Sequence, residues 1–114
     1  MFTVDDTTYE IHLSRGDTAT IDFQFEGDVP TSEAGDQVVM TLKRSVADKQ
    51  SKWEKKAILY GEDLGRFNIK AEDTKDLSFG KYYYDLRAYF SGGSVTTILP
   101  PTPFYVDEVI GNDR

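Results

Sequence analysis

Residues 76–90 read Asp76-Leu77-Ser78-Phe79-Gly80-Lys81-Tyr82-Tyr83-Tyr84-Asp85-Leu86-Arg87-Ala88-Tyr89-Phe90. Tyr82, Tyr84, Leu86, Ala88 and Phe90 recur at every second position, the period of an extended strand and not of a helix. The opposite face of that strand carries Tyr83, Asp85, Arg87 and Tyr89. Just upstream, Gly80 marks a sharp corner. Tyr82 is placed to bury its ring while its hydroxyl reaches back to a backbone group near that corner. A strand that is simply rich in tyrosine is the competing reading.

The same period extends outward in both directions. Residues 18–25 put Ala19, Ile21, Phe23 and Phe25 on one face, and Val38, Met40 and Leu42 line another strand. Residues 9–13 alternate before a turn at Ser14-Arg15-Gly16-Asp17. Residues 53–60 form a further strand with Trp53, Ala57, Ile58 and Leu59 as its apolar members. A turn at 61–65 follows, then Phe67 and Ile69 point inward from the next strand. Residues 71–77 suit a short helical turn crossing between sheets. Ser91-Gly92-Gly93-Ser94 suits a hairpin, because two glycines admit positive φ between alternating flanks. Residues 95–99 pair back, Pro100-Pro101 interrupts the ladder, and 102–110 form a last strand. The polar run 45–52 has no apolar face to bury and reads as a loop or a helical turn.

The expectation is an all-β chain: an immunoglobulin-like antiparallel β-sandwich of seven or eight strands. It forms a single domain over residues 1–114, with 110–114 as a frayed tail. An acid, a small corner residue and then Tyr82 match the tyrosine corner of immunoglobulin domains. Tyr84 takes the place where antibody domains keep their second cysteine.

Composition narrows the chemistry. The chain has no cysteine, which excludes disulfides, thiolate metal sites and a cysteine nucleophile. The one histidine, His12, reads as a surface residue and leaves little for zinc sites or Ser–His catalysis. Adjacent acids such as Glu62/Asp63 and Glu72/Asp73 point to opposite faces when on strands, and read as solvated groups, not a glycosidase pair or calcium loop. No glycine-rich phosphate loop occurs. The expectation is therefore a non-enzyme with no cofactor and no metal.

Charge is segregated. The net value is −7. Residues 1–42 carry nine acids against Arg15 alone, whereas residues 43–56 set Lys43, Arg44, Lys49, Lys52, Lys55 and Lys56 against Asp48 and Glu54. Such a balance suits neither nucleic acid nor membrane, and no signal peptide or apolar span is present. It suits solvated faces, or association of copies head to tail. Trp53, Tyr83 and Tyr89, together with Lys43, Arg44, Lys52, Lys55 and Lys56, are the candidate interface residues. Tyr83 and Tyr89 would alternatively stack on sugars, as in a carbohydrate-binding or adhesin-like module. Residues 26–37 and 45–52 are polar enough to order only on assembly.

Taken in order, Tyr9-Glu10-Ile11-His12-Leu13-Ser14-Arg15-Gly16-Asp17-Thr18-Ala19-Thr20-Ile21 and Val39-Met40-Thr41-Leu42-Lys43-Arg44-Ser45 carry a resemblance. Phe67-Asn68-Ile69, Glu72-Asp73-Thr74-Lys75-Asp76-Leu77, Gly80-Lys81-Tyr82-Tyr83-Tyr84-Asp85-Leu86 and Thr97-Ile98-Leu99-Pro100-Pro101-Thr102-Pro103-Phe104 extend it. Between Tyr9 and Val109 the chain resembles the immunoglobulin-like domain that opens the baseplate upper proteins of phages and prophages of Gram-positive bacteria, a domain also found alone as a small virion protein. The resemblance implies a structural or adaptor role at the baseplate or tail. Its implied partners are other phage structural proteins and the chain itself as a homo-oligomer. Its implied location is the virion, or the bacterial cytoplasm when expressed from a prophage. The family supplies no catalytic residues. Its longer members carry host-binding domains further on, so ending at Arg114 implies a free-standing assembly protein or a piece of a longer one.

Overall fold

The structure, a computed structural model, describes residues 1–26, 30, 31, 33–60 and 63–109. The expected tail at 110–114, part of the turn at 61–65 and part of the loop at 26–37 lie outside the described residues. Among the described residues nine strands and one short helix follow in chain order: β1 (Phe2–Val4), β2 (Ile11–Ser14), β3 (Ala19–Gln24), β4 (Gln37–Lys43), β5 (Trp53–Lys56), β6 (Ile58–Tyr60), β7 (Leu64–Ile69), α1 (Ala71–Lys75), β8 (Gly80–Tyr89) and β9 (Val95–Asp107). They make two sheets, one of six strands in the order β1-β2-β9-β8-β4-β5 and one of three in the order β3-β7-β6. The all-β expectation holds, and α1 makes the expected crossing between sheets.

Four features differ from the expected strand list. β1 lies before the first expected strand, and the strands among the described residues number nine against the expected seven or eight. The stretch 53–60 is two strands: β5 pairs with β4, the Ala57 amide donates to the Val38 carbonyl at 2.8 Å, and β6 then pairs with β7 in the other sheet. Ile58, one of the apolar members of this stretch, is 56% exposed. Conversely, Val95–Asp107 is one strand. Pro100 and Pro101 bulge its ladder with β8, whose register shifts between Tyr84 and Leu86, without ending it. Finally, β2 runs parallel to β9, so the sandwich is not wholly antiparallel.

The core lies between the sheets and is built from the inward positions of each strand. Val38, Met40 and Leu42 on β4 and Leu86 and Ala88 on β8 face Ile21, Phe67 and Ile69. Tyr82 and Tyr84 are both 1% exposed. A buried hydroxyl requires a partner. The Tyr82 hydroxyl donates to the Ser78 carbonyl at 2.8 Å, as the corner reading expects. That of Tyr84 donates to the Tyr9 carbonyl at 2.6 Å, and burial, with a smaller push from Tyr9, raises its pKa. Tyr9 itself sits at φ +63°, a costly conformation for an aromatic residue that the bond from Tyr84 helps to hold.

Each bond has a testable energy. Tyr82→Phe and Tyr84→Phe are each expected to lower the unfolding free energy by about 1–3 kcal/mol in urea titrations at unchanged m. Leu86→Ala, which opens a core cavity, is expected to cost about 2–5 kcal/mol. A phenylalanine variant as stable as the parent would show that its hydroxyl bond contributes nothing.

Candidate interaction face

Period two, once β8 is fixed, decides what its outer face presents. Lys43, Tyr83 and Pro103 fall in one cross-strand row, Thr41 and Asp85 in the next, then Val39, Arg87 and Thr97, then Gln37, Tyr89 and Val95. On β5, Lys56 and Glu54 join the Val39 and Thr41 rows. The outer face of the six-stranded sheet therefore gathers Lys43, Lys56, Tyr83 and Tyr89 from the candidate set. The Lys81 ammonium lies 5.2 Å from the Tyr83 ring centre and the Arg87 guanidinium 5.7 Å from that of Tyr89, both within cation–π range. Tyr89 is 39% exposed, and Val95 beside it 45%.

Of the other candidates, Trp53, Lys55 and Arg44 are turned to internal work. Trp53 and Lys55 share the inward parity of β5, and both grip α1. The Trp53 indole N–H donates to the Asp73 carbonyl at 3.1 Å, and Lys55 Nζ is 2.7 Å from the Asp73 carboxylate, both partners being largely buried. The same carboxylate accepts the Lys70 amide at 2.6 Å and so caps α1. Trp53 also packs edge-on to Phe104 at 6.3 Å, so it is a core clamp and not a free anchor. Arg44 lies over the Tyr82 ring at 4.5 Å and against Gly80, where an added Cβ would meet its guanidinium at 3.1 Å. Gly80 adopts φ +124°, and this backbone conformation is what requires glycine there. Lys43 reaches the Asp48 carbonyl at 2.8 Å and ties down the 45–52 loop, while Lys52 and Lys56 are exposed.

A small cavity of about 110 Å³ opens beside the bulge, lined by Thr41, Lys43, Val46, Tyr83, Tyr84, Asp85 and Pro101. One Asp85 carboxylate oxygen is buried there without a hydrogen-bond partner. Burial raises the Asp85 pKa, partly offset by the nearby charges of Arg87 and Lys43. Sequence reading did not pick out a second aromatic group further along this face. His12 stacks on Tyr105 at 4.4 Å and bonds Asp107 through Nδ1 at 3.0 Å. Tyr105 was legible as outward from its place between buried Phe104 and Val106. Among the described residues no group of three or more His, Cys, Asp or Glu side chains converges as a metal site. Among them, too, no helix is long and apolar enough to cross a membrane.

No family model, no characterised protein and no solved structure matches this chain.

Because the folded state raises the Asp85 pKa, the stability associated with its neutral form is present below the unfolded-state value and is lost as pH rises through the folded-state value. Asp85→Asn removes that loss. The variant is expected to gain stability relative to the parent as pH rises above about 4, read as the difference between two denaturation series. A difference that stays constant with pH would contradict the burial of this carboxylate.

Proposed function

We propose that this protein is a non-enzymatic structural adaptor of a phage or prophage virion, an immunoglobulin-like sandwich that acts through protein–protein contacts at the baseplate or tail. The fold part of this reading is supported by the layer order. A sheet of β1-β2-β9-β8-β4-β5 faces one of β3-β7-β6, α1 crosses between them, and Tyr82 bonds back to Ser78 at the corner. The phage part is supported by the resemblance of residues 9–109 to the opening domain of baseplate upper proteins.

The observation that carries the docking role is the outer face of the six-stranded sheet. Tyr83 and Tyr89 stand on it with Arg87, Asp85, Lys43 and Lys56, a mixture of aromatic anchors and charges suited to a protein partner. The small cavity on this face, about 110 Å³, is too small for a substrate of drug size.

A carbohydrate-binding module remains the second reading, favoured by the two tyrosines on one face. Two details weigh against it. A cation already lies over each ring. The rings are also six residues apart on β8, roughly 20 Å at strand spacing, beyond the reach of one short sugar.

Quantitative mass spectrometry of purified phage particles tests the proposal. A fixed copy number, in a multiple of three or six, is the expected result; absence from infectious particles would overturn it. Glycan binding that disappears in the Tyr83→Ala, Tyr89→Ala double variant would favour the second reading instead.

A further inference from the structure

The two long sides of the sandwich are not alike. On one side the layers gape over a cleft of about 980 Å³. Its floor is apolar, with Phe2, Phe23, Phe90, Ile98 and Leu99 only partly buried against the core. Two strand edges border it. β3 ends the three-stranded sheet, and residues 95–99 of β9 pair only with β8, because β2 pairs with β9 at 104–107. The rim holds Asp5, Asp6, Asp22, Glu26 and Asp63, and among the described residues no lysine or arginine lines the cleft. Arg66 neutralises Asp22 at 2.7 Å, and the other four leave the rim acidic.

The opposite side has the reverse character. There β5 and β6 end the two sheets; Lys52 and Lys56 are exposed at the edge of the six-stranded sheet, with exposed Glu54 between them in sequence, and Ile58, 56% exposed, lies at the edge of the three-stranded one. The run 53–60 and the six-residue β3 are of similar length, so one edge can lie along the other.

We infer that the occupant of the cleft is a second copy of this chain: the β5–β6 side of one molecule docks head to tail on the β3 edge of the next. In this arrangement Ile58 meets the apolar floor, while Lys52 and Lys56 face the acidic rim. Unpaired edges invite strand addition, and complementary charge fixes which edge pairs with which. A contact between two different surfaces is heterologous, so copies close into a ring or run on as a filament. The inference does not depend on the virion reading, since it uses only this chain's edges and charges.

Two charge-reversed variants test it, all four positions being exposed and so of little consequence for folding. Asp6→Lys with Glu26→Lys makes the cleft side basic; Lys52→Glu with Lys56→Glu makes the other side acidic. Sedimentation velocity of the parent is expected to show association that weakens with salt. Each variant alone is expected to associate about tenfold or more weakly. An equimolar mixture of the two is expected to regain association, because each contact in it again joins acid to base. Ile58→Asp is expected to weaken association at every salt concentration. A parent that stays monomeric at low salt, or a mixture as dispersed as its components, would overturn the inference without bearing on particle composition.

Discussion

Two tyrosine hydroxyls on β8, a central strand of the larger sheet, are carried into the core and must be satisfied there. A ring can be buried by alternation alone, but its hydroxyl must find an acceptor or cost about 1–3 kcal/mol. Tyr82 finds Ser78 and so fixes the corner by which the chain enters β8. Tyr84 finds Tyr9 and so fixes the hairpin between β1 and β2 to the core. With β8 pinned in rotation by these two bonds, Tyr83, Asp85, Arg87 and Tyr89 can only point outward. The candidate interaction face is thus a consequence of core chemistry, and not an independent feature of the surface.

The basic stretch illustrates how the same residue types serve two ends. Lys55 and Trp53 hold Asp73, and with it the one helical crossing between the sheets. Arg44 covers the Tyr82 ring and closes the space above Gly80. These cations are held by partners close to the core, where screening by salt is weaker than at the surface. Lys52 and Lys56 are left to solvent, and their position on the side opposite the cleft gives the segregated charge a geometrical meaning.

Much of this was legible in the residues because most strands here are buried on one face only. Alternation located the bodies of β3, β4, β7 and β8, and two adjacent glycines located the turn before β9. Alternation is blind to pairing, however. It carries no sign of strand direction, so the parallel β2–β9 pair left no trace in the sequence. Nor does it say which sheet a strand joins, so the switch at Ala57 was invisible within the apolar run that ends at Leu59. Proline removes an amide donor, which reads as an end to pairing. At Pro100 and Pro101 it produces only a bulge, since φ near −65° fits extended chain. The charge count could not separate clamps from surface, though Lys55 lies two residues from Trp53 and shares its inward parity. The cleft was illegible because it depends on which strands lie side by side, and no local pattern states that.

Residue-resolved amide exchange tests most directly the claim that a pinned central strand carries a sandwich left open along one side. Under dilute, high-salt conditions, the account predicts slow exchange throughout the interior of β8. On β3 it predicts protection at alternate residues only, because an antiparallel edge strand turns every second amide away from its neighbour. Uniform protection of β3 under those conditions would contradict the account, as would rapid exchange along β8.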